Sequence, residues 1–392
     1  MNNSYFYLEP YAYIDCDDEK AIVYDTLSGQ SLCLALSDKH LYAFVNELKN
    51  SLSKSVIFDK TFPDSVVCFV KQCRDLFMGD IWEGPQPFIA PFKPKYMNTV
   101  DVLKKNEDLV YKVIGMVSHL VIMQEGKKQD KNIVGIENPI NQFLFPLCNF
   151  GGKIELSLFC GQMSKIYFDK LKTVSILGDF EDGLLQSIYK DYPGVDYCFY
   201  YQFEQFDTEW FLLHTNYIKR KHVLIWVNPQ VQPIMINETK EKLRHNGVPC
   251  SFLSAVCNEN DLMNVADGVV SVPFYNKTNI GLFKKNVFLT ERDILSQKIT
   301  EEDILNNMMI NSNFFGELYF MPDNRVYANP NTDSLGCFGD DWHDILYNLL
   351  DSCWFKTRDM KPCSNCAFQY LCPPPSNYEI VIGKPNLCTV KP

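Results

Sequence analysis

Apolar and polar residues alternate through residues 5 to 36, in YAYI, AIVYDTL and QSLCLAL, with turn signals at DDEK and Ser28-Gly29 between them. A two-residue period puts one face of each segment into a core, so the stretch predicts a small antiparallel sheet. The period then lengthens. After Ser37, read as an N-cap, Leu41, Phe44, Val45 and Leu48 recur at helical spacing, and Val66, Phe69, Val70, Cys73 and Leu76 repeat the pattern in SVVCFVKQCRDLF. Three strands followed by helices predict a winged-helix-like unit over about residues 1–85, closed by the proline-rich linker EGPQPFIAPFKP.

Short apolar segments and helical patterns alternate from about 110 to 290. The predicted strands are VSHLVIM, TVSILG, DYCFYY, HVLIWV, SFLSAV and GVVSVPF, and EWFLLHTNYIKR is one of the helices between them. That alternation predicts an α/β fold with a mostly parallel sheet, and six such units suffice for an open or partial barrel. Near 154 two readings compete. Leu156, Phe159, Met163, Ile166 and Tyr167 share one helical face, whereas IELSLF also fits a strand. From about 311 the pattern changes to a hairpin, GELYFM, a Pro322-Asp323-Asn324 turn and RVYAN, then a helix around 341–354 and a cysteine-rich tail.

Composition narrows the class. At 392 residues the chain is long enough for two or three domains, and its 46% apolar content is that of a globular protein with a sizeable core. No apolar run reaches the roughly 18 residues needed to span a bilayer, and the opening MNNSYFYLEP lacks a signal peptide's basic and apolar regions. A cytoplasmic protein without a membrane partner is therefore expected. The net charge of -11 argues against nucleic acid and for a peptide or protein partner.

Of 15 cysteines, ten (16, 33, 68, 73, 148, 160, 198, 250, 257 and 353) are scattered and read as small core residues. Four others form a spaced set: Cys363 and Cys366 as Cys-x2-Cys, then Cys372 and, after fifteen residues, Cys388. A Cys-x2-Cys turn aims two thiolates at one site and later cysteines complete it, so these four are the expected metal ligands. Spacing alone leaves zinc and an iron-sulfur cluster open.

Cys-x2-Cys-x5-Cys resembles the core of the SPASM domain, the C-terminal extension of radical-SAM enzymes that mature ribosomal peptides. The resemblance implies that Cys363, Cys366, Cys372 and Cys388 hold one [4Fe-4S] cluster. It also implies a second cluster in the family, but here Asn329 and Ser376 stand at two of its cysteine positions, with Cys337 and Cys353 as remnants and Asn348 in place of a glycine. The six βα units are similar to the radical-SAM partial barrel, yet the loop after the first strand, QEGKKQDKNIVGIENP, has no cysteine, and Cys-x3-Cys-x2-Cys is absent from the chain. The glycine-rich end of the second strand, LGDFED, keeps only Gly178. No SAM binding and no catalytic residue are expected. PPPSNYE after Cys372 resembles the tail of pseudo-radical-SAM proteins in Bacteroidales peptide maturation.

The N-terminal unit, with AIVYDTLSGQ, resembles the recognition element of ribosomal-peptide maturases, similar to the small chaperone of pyrroloquinoline quinone synthesis. In that family a leader peptide adds as a strand beside the third strand and packs on the last helix. Carried over, this places a precursor peptide on Ser31 to Leu36, at Leu32 and Leu34, and on the helix bearing Phe69, Lys71 and Arg74. The expected architecture is a recognition element (1–85), a degenerate (β/α)6 radical-SAM-like partial barrel (86–310) and a SPASM-like metal domain (311–392). The expected function is a non-radical accessory that presents the precursor to a partner radical-SAM maturase. The alternatives are redox or peptide-modifying chemistry at the cluster, and a structural zinc scaffold.

Other chemistry lacks support. The six histidines include no His-x-x-x-His pair, and hydrolase-elbow and P-loop signatures are absent. The acidic pairs Asp17-Asp18, Glu301-Glu302 and Asp340-Asp341 read as turns and helix starts.

Overall fold

The structure, a computed structural model, describes residues 3–90, 92, 99–105, 107–126, 152–228 and 231–390. Most of the predicted loop after the first parallel strand, along with Cys148, lies outside these residues.

The N-terminal unit contains two three-stranded antiparallel sheets. β1 (Ser4–Leu8) lies between β5 (Ser55–Ile57) and β6 (Gly79–Glu83), and β2 (Ala12–Cys16), β3 (Lys20–Asp25) and β4 (Ser31–Ala35) form a meander. Helices α1 (Lys39–Asn50) and α2 (Asp64–Asp75) pack on them. Asp38, not Ser37, is the N-cap of α1 and accepts the His40 N-H at 2.8 Å. The apolar stripes of both helices enter one core, where Phe69 meets Phe6 at 5.9 Å and Phe44 at 6.1 Å between ring centroids.

All six predicted strands form: β7 (His119–Met123), β10 (Thr173–Leu177), β11 (Asp196–Gln202), β12 (Lys221–Trp226), β13 (Cys250–Val256) and β14 (Val269–Pro273). The short β8 (Glu125–Gly126) and β9 (Gly152–Lys153) pair with each other apart from them. The six run parallel in chain order within a nine-stranded sheet, β14-β13-β12-β11-β10-β7-β15-β16-β17. Here β15 (Glu317–Met321) runs parallel to β7, while β16 (Arg325–Tyr327) and β17 (Gly336–Cys337) are antiparallel additions. Leu120, Ile122, Val174, Ile176, Phe199, Val223 and Ile225 bury one face in the largest core, and Val121, Met123, Leu177, Tyr319 and Met321 bury part of the other. Burial on both faces is the usual condition of parallel strands.

The segment near 154 resolves as a helix, Leu156–Met163, which ends before Ile166 and leaves Tyr167 exposed. The hairpin of β15 and β16 forms as predicted, but it belongs to the large sheet and shares the large core, so the expected boundary at 310 falls within continuous structure. Gly316 permits the join. Its φ is +90°, its carbonyl accepts the Ser118 and His119 N-H groups, and a Cβ there would lie 2.7 Å from the Ser118 hydroxyl.

The meander joins the N-terminal unit to the tail. One face (Ala21, Val23, and partly Leu32 and Leu34) packs toward α1 and α2; from the other, Tyr13, Ile22 and Tyr24 pack on Ala367, Phe368, Tyr370 and Leu371 of the cysteine loop. The Tyr24 hydroxyl accepts the Ile299 N-H at 2.8 Å, and Lys20 pairs with Glu291.

Candidate functional site

The cysteine tail has little regular structure of its own. Cys363–Asn365 make a single 3-10 turn, and Cys372 leads into three consecutive prolines that have no N-H to donate. Side chains from elsewhere hold their carbonyls. Asn307 donates to the carbonyls of Tyr370 (3.0 Å) and Cys372 (3.2 Å), Arg358 Nε to Pro373 (2.6 Å), Asn313 to Pro374 (2.9 Å) and Asn311 to Pro375 (2.9 Å).

Arg358 also organises the cysteine tail. It is 7% exposed, its Nη1 donates to Glu379 Oε1 at 2.8 Å and lies 3.7 Å from Cys363 Sγ, and Glu379 is itself 5% exposed. Burial alone would lower the guanidinium pKa, but the charge of Glu379 and its bond outweigh that and the net shift is upward. Glu379 further accepts the N-H groups of Ser376 (2.6 Å) and Leu387 (3.3 Å), so the pair ties the Cys363 turn, the proline run and the chain before Cys388 together. Cys388 is held beside Leu289, whose N-H donates to the Leu387 carbonyl and whose carbonyl accepts the Thr389 N-H, both at 2.9 Å.

The four predicted ligand thiols gather here. Cys363, Cys366 and Cys372 are buried, Cys388 is partly exposed, and all four interact electrostatically as one group. Burial pushes the Cys366 thiol up to about 11 and Cys372 up to about 12, and it raises Cys363 against the opposing pull of Arg358. Among the described residues, no three Cys, His, Asp or Glu side chains are arranged to hold a single ion. A closed zinc site needs four donors about 2.0–2.3 Å from one centre.

The two positions at which the SPASM resemblance would place further cysteines are polar and bonded. Buried Asn329 donates to Asn377 Oδ1 at 2.6 Å, and the adjoining Ser376 caps the helix Asn377–Ile382 in a capping box with Glu379. Cys353 is buried and Cys337 is exposed on β17.

The predicted peptide contacts are only partly placed as expected. Phe69 is 1% exposed, so its ring serves the core and offers nothing to a peptide, which corrects that expectation. Arg74 is exposed and bonds Asp80 at 2.7 Å. Leu32 and Leu34 are half-buried against the core. Backbone bonds from Asp25 N to Gln30 O and from Leu36 N to Glu19 O set the alternation of the β3–β4 ladder, so the amides of Leu32 and Leu34 face β3. The open edge belongs to Ser31, Cys33 and Ala35, for which no second strand partner exists among the described residues.

Sequence reasoning missed Arg358 and the asparagines at 307, 311 and 313, because polar residues outside a motif read as solvated. Glu379, three residues after Ser376, carried a readable capping signal. On the large sheet, His119 bonds Ser175 (2.7 Å) through Nε2 and Glu317 (3.2 Å) through Nδ1. With Ser175 1% exposed, this chain reads as structural. No family model matches the chain, and no curated protein is significantly similar to it.

Proposed function

We propose that this chain is a non-radical accessory protein of ribosomal-peptide maturation, of the pseudo-radical-SAM type, that binds a precursor peptide and presents it to a partner radical-SAM maturase. In this reading β7 and β10 to β14 are the six strands of a degenerate partial barrel, and the leader peptide adds as a strand at β4. The observation that carries it is the open edge of β4, whose outward N-H and C=O groups at Ser31, Cys33 and Ala35 are a template for strand addition. Cys363, Cys366, Cys372 and Cys388 would hold one [4Fe-4S] cluster. When bound, such a cluster supplies electron transfer or a rigid cross-link. Around it Arg358 orients Cys363 and the proline run, while the apolar loop Ala367–Leu371 shields the site on the side of the meander.

The test uses the full chain and fluorescence polarisation with a labelled precursor leader peptide. Cys33→Pro removes an outward donor and leaves the β3–β4 ladder intact. It should weaken binding about tenfold or more, in line with the loss of a strand-addition hydrogen bond and the fit around it. Affinity unchanged in a folded Cys33→Pro variant would exclude strand addition at this edge.

A further inference from the structure

Away from the cysteine tail and the β4 edge, a cavity of about 190 Å³ opens beyond the C-terminal ends of β10 and β11, lined by Asp179, Tyr201, Gln205, Phe206, Asp207 and Trp210. The ends of parallel strands are where the loops of α/β sheets leave room for ligands. Tyr201 belongs to the core on the helix-covered face of the sheet, so the cavity lies on that side.

Its walls are fixed. Trp210 is flanked by Phe180 (5.2 Å) and stacked on His214 (4.4 Å, 23° between planes), and Phe206 packs on Tyr201 at 5.1 Å. The Asp207 carboxylate caps the helix Thr208–His214 through Oδ1, which accepts the Glu209 and Trp210 N-H groups at 2.9 and 3.0 Å. Tyr201 is 3% exposed, yet its hydroxyl has no hydrogen-bond partner among the described residues. An orphaned buried hydroxyl is costly unless something supplies the missing bond. Burial and, after it, the charge of Asp179 raise the phenol pKa, which places Asp179 within electrostatic reach of the hydroxyl.

The lining thus combines two carboxylates, three aromatic rings, an amide and an unused hydroxyl, with no lysine or arginine among the described lining residues to neutralise the acids. We propose that this cavity is a binding site for the head of an alkyl cation, a guanidinium or primary ammonium, which donates to Asp179 and to the Tyr201 oxygen and lies against Trp210 and Phe206. Aromatic faces attract such cations, and the exposed carboxylate of Asp179 at the mouth of the cavity adds a charge-assisted bond. The volume suits one side-chain head rather than a drug-sized molecule. The inference does not depend on the peptide edge or on the cluster.

Calorimetric titration of the full chain with agmatine, with the capped tripeptide acetyl-Gly-Arg-Gly-amide and with uncharged N-butylacetamide tests it. Agmatine should bind saturably and N-butylacetamide should not. Binding of the tripeptide as well identifies a basic peptide side chain as an acceptable source, and binding of agmatine alone identifies a free amine. Asp179→Asn should weaken agmatine about tenfold or more, and Tyr201→Phe, which keeps the ring, about threefold to tenfold. Absence of saturable agmatine binding, equal binding of the neutral amide, or affinity unaffected by both substitutions overturns the proposal.

Discussion

Replacing Arg358 by methionine removes a guanidinium that serves several parts of the tail at once. Met fills much of the stem volume, but the variant loses the bond to the Pro373 carbonyl and leaves Glu379, 5% exposed, as a buried carboxylate without its cation. Breaking a buried pair from one side costs about 3–5 kcal/mol. At about 1.4 kcal/mol per factor of ten, local opening of the tail should become about a hundred to a few thousand times more frequent. Thiol reactivity reads this directly. Cys33, Cys68 and Cys337 are exposed and should react fast in parent and variant alike, whereas buried Cys363, Cys366 and Cys372 require opening. In metal-free protein kept under argon, the slow phase with a thiol-specific disulfide reagent should accelerate by that factor in Arg358→Met. Arg358→Met combined with Glu379→Leu should recover much of the loss, because no lone charge remains. A slow phase unchanged in the single variant, or a double variant as labile as the single one, would refute the clamp.

Two further outcomes follow from other residues. Lys54 is 4% exposed, donates to the carbonyls of Pro10 (3.1 Å) and Ala12 (3.0 Å), and is lowered by burial to about 8. A lysine depressed in the folded state leaves the unfolded chain holding more protons between about pH 8 and 10.5, so its contribution to stability improves with pH across that window. Relative to Lys54→Met, the parent should therefore gain up to about 3 kcal/mol in urea unfolding between pH 7 and 10.5; a gap that stays flat counts against the burial argument. After anaerobic reconstitution, Cys366→Ser should lose bound iron and sulfide while Cys337→Ser retains them, and equal metal content in the two variants would detach the cluster from the tail.

Local patterns in the sequence revealed most of the large sheet. Each of the six parallel strands is a short apolar run between helical periods, and the structure places all six in chain order. What local pattern could not show is pairing at a distance. β1 takes β5 and β6 as neighbours, and β15, readable as half of a hairpin, joins β7 through residues as far apart in the chain as His119 and Glu317. The helix cap was misplaced by one residue because Ser37 and Asp38 are both good caps. The stripe Val66, Phe69, Val70 and Cys73 was legible as a helical face, but periodicity does not say whether a face meets a core or a ligand, and Phe69 went to the core. The cysteines were legible because their spacing is short. Arg358 was not, since its partner lies 21 residues away and only the folded tail brings them together.

The docking of the meander on the cysteine loop also sets an order of events during synthesis. Tyr13, Ile22 and Tyr24 leave the ribosome early, but two of the residues that cover them, Phe368 and Leu371, follow roughly 350 positions later. At about 5–20 residues per second that is a delay of roughly 17–70 s, during which a newly folded N-terminal unit shows an apolar sheet face to its surroundings. Phe92 and Ile299 cover part of the face sooner, and the loop between Cys366 and Cys372 completes the cover. Completion of the thiol site and the loss of the last part of this adhesive surface are then one event, and a chain whose tail fails to close keeps that part exposed for self-association through its first folded unit.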